Sequence, residues 1–391
     1  MKLINNKTVF VGVSGGVDSS VAAALLKDQG YNVVGVFIRT WTPDFIECTW
    51  RDERRDAMRV CAHLGIPFLE CDAEEAYKKG VADYMIEEYK KGNTPNPDVM
   101  CNRMVKFGVF WQLAKERGAD FIATGHYARV ARASEKLKVE SYKEEGSKKL
   151  YKLDELYELL TGCDSTKDQS YFLWTLTQDD LAHTLFPVGH LEKTEVRKLA
   201  EKYKLPTAVK KDSQGVCFLG PLDMKDFLKH YIETKKGDVL LARQEGGMEK
   251  TEIIGSHDGA IFFTLGERHG FTIFKNEDNS KPLYVISKNI DKNTITVSHR
   301  SDLGEINSSP KSDLGLGKKV ECSNANWISG IPEKGKKYTA QIRYHGELLA
   351  CMVDVTGPTC AIIFDKSVLV DKGQSIVVYD EDVCLGGCIV F

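Results

Sequence analysis

Short apolar runs alternate with amphipathic segments over the first 130 residues. Apolar runs at residues 8–13, 32–38, 67–71 and 121–124 predict buried strands. Helical periodicity predicts helices at residues 19–29, 51–64, 74–91 and 104–117. Strands that are nearly continuously apolar and alternate with helices are typical of an α/β fold, in which both faces of a parallel sheet are covered.

The pattern changes twice after residue 130. Residues 131–150 are polar and charged, which predicts an exposed hairpin or a loose insertion. A helical pattern returns over residues 178–204 and is followed by Pro206. From residue 283 onward, short apolar runs separated by turn residues predict a small antiparallel barrel or sandwich. We therefore expect domains at residues 1–205, 206–282 and 283–391.

Composition and charge limit the classes of function. Of the 391 residues, 42% are apolar and 28% are charged, which is typical of a globular chain and excludes a disordered or fibrous one. The 53 Lys and Arg against 56 Asp and Glu give a net charge of −3. Any binding of nucleic acid must then use a local patch. Residues 193–211, with seven basic and two acidic side chains, are the first candidate.

The eleven cysteines are too few for a disulfide scaffold. The apolar run near the start is short and is interrupted by Ser14, Gly15 and Gly16, so we predict neither a signal peptide nor a membrane span. The expected location is the cytoplasm, where thiols stay reduced. Most of the cysteines are then expected to act as small apolar side chains.

A glycine-rich loop lies between the first predicted strand and helix. It consists of Ser14, Gly15, Gly16, Val17, Asp18, Ser19 and Ser20. Glycines let the backbone approach a phosphate, and a helix N-terminus directs N–H groups at it. There is no lysine of the Walker A type, and Asp18 next to a phosphate calls for Mg²⁺ between them. The structural alternative is a capped glycine turn.

Two cysteines lie in loops rather than in predicted strands or helices. Cys101 follows Asn96, Pro97 and Asp98 at a predicted helix N-terminus, where a thiolate is stabilised and Asp98 can exchange a proton. Cys217 lies in a glycine-containing segment. No C-x₂-C pair or histidine cluster adjoins them, so zinc is not predicted. An iron–sulfur cluster held by these cysteines stays open as an alternative.

Taken together, these motifs resemble the tRNA-specific 2-thiouridylase family, within the adenine nucleotide α-hydrolase-like superfamily. The resemblance covers essentially the whole chain. The matching segments are residues 14–20, 35–38, 93–102, 123–127, 164–173, 185–189, 211–220, 342–344, 373–374 and 385–387. It implies a parallel-sheet, Rossmann-like ATP-pyrophosphatase domain, a small central linker domain carrying Cys217, and a C-terminal antiparallel β-barrel that contacts tRNA.

The resemblance also implies roles for individual residues. Cys101 is the implied nucleophile, Cys217 the implied persulfide carrier, and Asp98 a further catalytic group. The implied ATP-binding residues are Gly12, Val13, Ser14, Gly15, Gly16, Val17, Asp18, Ser19, Ile38 and Gly125. The implied contacts to the target base and tRNA are Asn96, Pro97, Asp98, His126, Lys167, Asp168, Gln169, Arg343, Tyr344 and Gln374.

The implied reaction is synthesis of 2-thiouridine at the wobble position. ATP with Mg²⁺ adenylates the C2 oxygen, and a persulfide on Cys217 delivers sulfur, leaving a disulfide between Cys101 and Cys217. The implied partners are tRNA and a protein that donates or relays persulfide sulfur, with no membrane and a monomeric enzyme. Two alternatives stay open at this point: another ATP-pyrophosphatase ligase or amidotransferase, and an ATP-binding module without chemistry.

Overall fold

A computed structural model gives the fold. It describes residues 6–46, 50–133, 140–142, 148–150, 156–211, 223–245, 248–274, 282–299 and 316–391. Within these ranges, no helix is long and apolar enough to cross a membrane.

The N-terminal part is built on the predicted parallel sheet. Its five strands stand in the order β3-β2-β1-β4-β9, and every neighbouring pair is parallel. They are β1 (Thr8–Gly12), β2 (Asn32–Arg39), β3 (Phe68–Asp72), β4 (Phe121–Ala123) and β9 (Thr184–Leu185). Val9 and Val11 are fully buried, as expected for a central strand covered on both faces.

Helices cover this sheet. They are α1 (Val17–Asp28), α2 (Trp50–Leu64), α3 (Glu74–Tyr77), α4 (Tyr84–Lys90), α5 (Pro97–Cys101), α6 (Phe110–Glu116), α7 (Gln178–Ala182) and α8 (Lys193–Lys202). π-helical turns at Lys78–Asp83 and Asn102–Val109 join α3 to α4 and α5 to α6. The helical pattern predicted over residues 178–204 is in fact two helices, because β9 and a turn separate them.

A second sheet forms the middle of the chain. It has the order β12-β11-β10-β14-β13. After α9 (Met224–Lys229) come β10 (Gly237–Glu245), β11 (Met248–His257), β12 (Thr272–Ile273), β13 (Leu283–Asn289) and β14 (Thr294–His299). We predicted that residues 283–299 begin the C-terminal barrel. Instead β14 pairs with β10, and β13 pairs with β14, so both strands belong to the central sheet.

The C-terminal part is the predicted antiparallel barrel. Its strands are β15 (Leu316–Trp327), β16 (Tyr338–Gln341), β17 (Leu349–Thr356), β18 (Thr359–Leu369), β19 (Ser375–Asp380) and β20 (Val383–Val390). Pairing of β15 with both β18 and β20 closes it. The N-terminal strands β5 (Ala128–Arg132) and β8 (Tyr157–Thr161) extend this sheet through β20. Between them, β6 (Glu140–Tyr142) and β7 (Lys148–Leu150) form the predicted hairpin.

Candidate functional site

The strand order places the site. β1 lies between β2 and β4. The chain runs from β1 to β2 and β3 on one side of β1, and only then crosses to β4 on the other side. In parallel sheets, ligands bind at the carboxyl ends of strands beside such a switch point. The glycine-rich loop follows β1 and Gly125 follows β4. A Cβ added at Gly125 would lie 2.7 Å from the Ser19 nitrogen, so the two loops touch there.

The glycine-rich loop forms a compact cradle at the start of α1. Gly15 has a φ of +73°, and a Cβ there would lie 2.7 Å from the Glu53 carbonyl oxygen. Both facts favour glycine. The Ser14 nitrogen donates to the Ser19 hydroxyl at 3.2 Å, and the Ser20 hydroxyl donates to the Gly16 carbonyl at 2.6 Å. These bonds fix the backbone of the turn from which α1 begins.

Asp18, in the first turn of α1, is paired rather than isolated. The Lys193 ammonium group donates to its two carboxylate oxygens at 2.7 and 2.9 Å. The Tyr127 hydroxyl donates to the first of these oxygens at 2.8 Å. Lys193 begins α8 and Tyr127 lies two residues beyond Gly125, so the pairing joins α1, α8 and the loop after β4. It also places a cation beside the cradle.

The segment before Cys101 is a capped helix start. The Asn96 side chain accepts hydrogen bonds from the nitrogens of Asp98 and Val99 at 3.1 and 3.2 Å, and Pro97 occupies the first helical position. Both features are typical of helix N-termini. Cys101 is the fifth residue of this helix, and its side chain is 4% exposed. It packs in a core cluster with Tyr77, Val105 and other apolar residues.

Asp98 and His126 have shifted pKa values, and Lys106 acts on both. Loss of hydration raises the pKa of Asp98, and the positive charge of Lys106 opposes that rise. Burial lowers the pKa of His126 well below its usual value, and the Lys106 charge lowers it further. The Lys106 ammonium lies 3.2 Å from His126 Nε2, and the Thr124 hydroxyl lies 2.6 Å from Nδ1. These contacts assign a neutral imidazole that accepts at Nε2 and donates at Nδ1.

The predicted tRNA-binding residues lie in three different settings. His126 is buried, with both ring nitrogens engaged. Gln169 Oε1 accepts from the Tyr127 nitrogen at 3.0 Å and so braces the loop after β4, whereas Asp168 accepts from the Gly162 nitrogen at 2.8 Å and braces the end of β8. Lys167 is half-buried in the same segment.

The C-terminal candidates lie where the domains meet. The ring of Tyr344 lies 4.2 Å from that of Phe172, centroid to centroid, and the Asp98 charge contributes to raising the pKa of Tyr344, although burial is the main cause. The Arg343 guanidinium donates to the Leu265 carbonyl of the central part. Gln374 Oε1 accepts from the Asp371 nitrogen at 3.1 Å. Of these three residues, Tyr344 has Asp98 among the charges that act on its pKa.

Cys217 lies outside the described residues, so its relation to Cys101 stays a prediction.

Several basic side chains of residues 193–211 are bonded within the protein. Lys193 pairs with Asp18, Lys210 pairs with Asp56 at 2.8 Å, and Arg197 donates to the carbonyls of Ala208 and Lys210. Fewer of its charges than expected are therefore available to phosphates of a partner.

Sequence reasoning did not single out Lys106 or assign Lys193 to the glycine-rich loop. Lys193 lies 175 residues from Asp18, so nothing in local spacing joins them. Lys106 offered one signal: it lies five residues after Cys101, near the start of the helix predicted at residues 104–117. Its partner His126 lies in the loop after β4, and only the fold brings the two side chains together.

The fold defines a class: an α/β domain with a glycine-rich loop at the switch point of its parallel sheet, followed by a central sheet and a C-terminal antiparallel β-barrel. Three protein-family models match: a "tRNA methyl transferase HUP domain" at residues 7–221, a "tRNA methyl transferase PRC-barrel domain" at residues 225–299 and an "aminomethyltransferase beta-barrel domain" at residues 317–390.

Curated relatives identify the family. The chain is 40% identical to the tRNA-specific 2-thiouridylase MnmA of Bacillus cytotoxicus, over 100% of this chain and 96% of the relative. It is also 40% identical to that of Bacillus subtilis, over 97% and 93%. The protein therefore belongs to the tRNA-specific 2-thiouridylase family. A solved U34-tRNA thiolase from Methanococcus maripaludis, with a [4Fe-4S] cluster, is 21% identical over 59% of this chain and 68% of that one, with a TM-score of 0.33. That likeness is too weak to support an argument.

Proposed function

We propose that the protein transfers sulfur, at the expense of ATP, to C2 of the wobble uridine of tRNA, giving 2-thiouridine. One observation carries this proposal. The phosphate cradle touches Gly125, and the neighbouring His126 is bonded to Lys106 on the helical segment that bears Asp98 and Cys101. The loop after β4, with Gly125 and His126, would thus join the proposed adenylation site to the proposed sulfur-transfer site.

The proposed reaction begins with adenylation. The uridine C2 oxygen is a poor leaving group, and transfer of AMP to it makes it a good one. The backbone N–H groups at the start of α1 would hold phosphates. Lys193, beside the cradle, would stabilise the charge that develops on the pyrophosphate leaving group.

The residues of the cradle fit ATP, because Gly15 and Gly16 carry no side chain that would cover the backbone N–H groups at the start of α1. Asp18 offers the oxygen ligands that Mg²⁺ prefers, and Mg²⁺ would neutralise charge on the triphosphate. In this structure both oxygens of Asp18 are already bonded to Lys193. We propose that Asp18 serves ATP binding mainly by holding Lys193 in place.

The proposed sulfur step uses two thiols. The terminal sulfur of a Cys217 persulfide attacks C2, and AMP leaves with the former oxygen. The Cys101 thiolate then attacks the inner sulfur, which breaks the persulfide bond, leaves sulfur on the base and forms a Cys101–Cys217 disulfide. A two-electron reductant and a new persulfide from a donor or relay protein restore the enzyme. An iron–sulfur cluster is the alternative that metal analysis of anaerobically purified protein would reveal.

The base must reach a largely covered thiol. Because Cys101 is only 4% exposed, we propose that the uridine leaves its stack to enter the site. Asp98, whose pKa is raised by loss of hydration, holds a proton more readily than an exposed carboxylate and is then suited to exchange one with the base. Tyr344 and Phe172 offer an aromatic surface beside it for RNA.

Cysteine variants test the proposal. We expect Cys101→Ser and Cys217→Ser each to abolish 2-thiouridine, measured by mass spectrometry of tRNA nucleosides, while tRNA-dependent release of pyrophosphate from ATP survives. The control Cys163→Ser changes an exposed cysteine and should keep thiolation. Full sulfur transfer by either of the first two variants, in a reaction with purified components, would refute the mechanism.

A further inference from the structure

Three cysteines that the proposed reaction does not use meet inside the C-terminal barrel. The sulfur atoms of Cys322, Cys360 and Cys388 all lie within 4.8 Å of one another. The strand register causes this. Cys322 on β15 stands opposite Cys360 on β18, and on the other side it stands opposite Val390 of β20. Cys388 shares a face with Val390, because side chains alternate along a strand.

The cluster is dry. Cys322 and Cys388 are 0% exposed and Cys360 is 2% exposed. They belong to the apolar core of the barrel, with neighbours such as Val320 and Ile376. Single buried cysteines usually act as small apolar side chains. Three convergent sulfurs additionally offer a set of soft ligands, which select Cu(I), Zn²⁺ or iron–sulfur chemistry.

We propose that Cys322, Cys360 and Cys388 form a binding site for one monovalent soft cation, Cu(I). Geometry favours three-coordination: metal–sulfur bonds of about 2.3 Å in a trigonal plane place the sulfurs about 4 Å apart, within the observed spacing. Structural zinc takes four ligands. Among the described residues, no fourth His, Cys, Asp or Glu joins the group.

Binding of the cation requires loss of thiol protons, because the thiolate rather than the thiol is the metal ligand. The Cys388 thiol has the Ile376 carbonyl as an acceptor at 3.9 Å, and this contact is lost when its sulfur binds the cation. Each thiol proton that the cation displaces leaves to solvent. Three cysteine sulfurs in an apolar core are the kind of soft ligand set that selects Cu(I).

The test uses the full-length chain under anaerobic conditions. Cys101→Ser and Cys217→Ser form the background, so that the catalytic thiols do not compete. Cu(I) is supplied from a colorimetric chelator, and copper X-ray absorption counts the ligands. We expect one copper per chain with three sulfur ligands. Adding Cys388→Ala should weaken binding by more than about 100-fold, since it removes a direct ligand.

A matched control changes Cys351, another buried cysteine of the same barrel that lies outside the cluster. In the same background, Cys351→Ala should bind copper as the parent does, and circular dichroism checks that both variants fold. Equal copper affinity with and without Cys388 would overturn the proposal, as would fewer than three sulfur ligands. Tighter, four-coordinate binding of Zn²⁺ by the parent would overturn the choice of cation.

Discussion

At the scale of single residues, the Asp18–Lys193 ion pair is a contact that sequence patterns did not predict. We expect Lys193→Met to lower the rate of tRNA-dependent AMP formation by about 10²–10³-fold, because it removes a cation from the phosphate site. The matched control is Lys198→Met, an exposed residue of the same helix, which should act like wild type. A Lys193→Met rate within a few fold of wild type would exclude the role.

His126 gives a pH prediction. Its folded pKa lies well below the unfolded value because the ring is buried. The stability that it contributes is therefore present above pH about 6.5 and is lost as pH falls toward the folded pKa, by up to about 1.4 kcal/mol per pH unit. We expect the Tm advantage of wild type over His126→Gln to shrink between pH about 7.5 and 5.5.

The control for that experiment is His190→Gln, since His190 is exposed. Its Tm difference from wild type should stay constant over the same range. A pH-independent difference for His126→Gln would mean that the ring is not held neutral by the fold.

At the scale of elements, local patterns predicted the first strands and helices of the chain well. Apolar runs and helical periodicity located β1, α1, β2 and α2 to within one or two residues, because each is a compact unit that buries one continuous apolar surface. Periodicity does not show which sheet a strand joins. Residues 283–299 look like barrel strands, but pairing with Gly237–Glu245 places them in the central sheet.

The candidate site was predictable in part for the same reason. The glycine-rich loop is a contiguous motif whose local geometry matches the expectation, because it starts α1. The prediction for Cys101 was wrong in part: Asn96 caps a helix that already begins at Pro97, so Cys101 is a buried helical residue rather than part of a loop. Lys106 acts on Asp98 and His126 across the fold, and no local pattern marks such a residue. The ring of His126 is buried, and both of its nitrogens have hydrogen-bond partners within the protein. The family resemblance had implied that this residue contacts tRNA.

The contact between the loop after β4 and the glycine-rich loop predicts the effect of one added methyl group. We expect Gly125→Ala to lower the free energy of unfolding by about 1–3 kcal/mol and to raise the KM for ATP, because its Cβ would lie 2.7 Å from the Ser19 nitrogen. The control Gly317→Ala, whose Cβ would be 3.4 Å from its nearest neighbour, should leave KM unchanged. An unchanged KM in Gly125→Ala would contradict the close approach.

At the scale of the whole molecule, one buried network ties all three parts of the chain together. Asp371 of the C-terminal part is 3% exposed and accepts from Thr94 Oγ1 of the N-terminal part at 2.8 Å. It forms an ion pair with Lys288 on β13 of the central sheet at 2.7 Å. Since Thr94 begins the segment that carries Asn96 and Asp98, docking of the other two parts fixes the position of that segment.

This network should control both stability and activity. Asp371→Ala leaves Lys288 buried without its partner, so we expect it to cost about 3–5 kcal/mol, seen as a lower Tm, and to slow thiolation by displacing the Asn96 loop. Asp371→Leu combined with Lys288→Met removes both charges and should recover most of the Tm but not the rate, because Thr94 still lacks its acceptor.

The exposed Lys366–Glu347 pair provides the control: Glu347→Ala should cost at most about 1 kcal/mol and leave thiolation intact. A wild-type thiolation rate in Asp371→Ala would show that the Asn96 loop keeps its position without the other two parts.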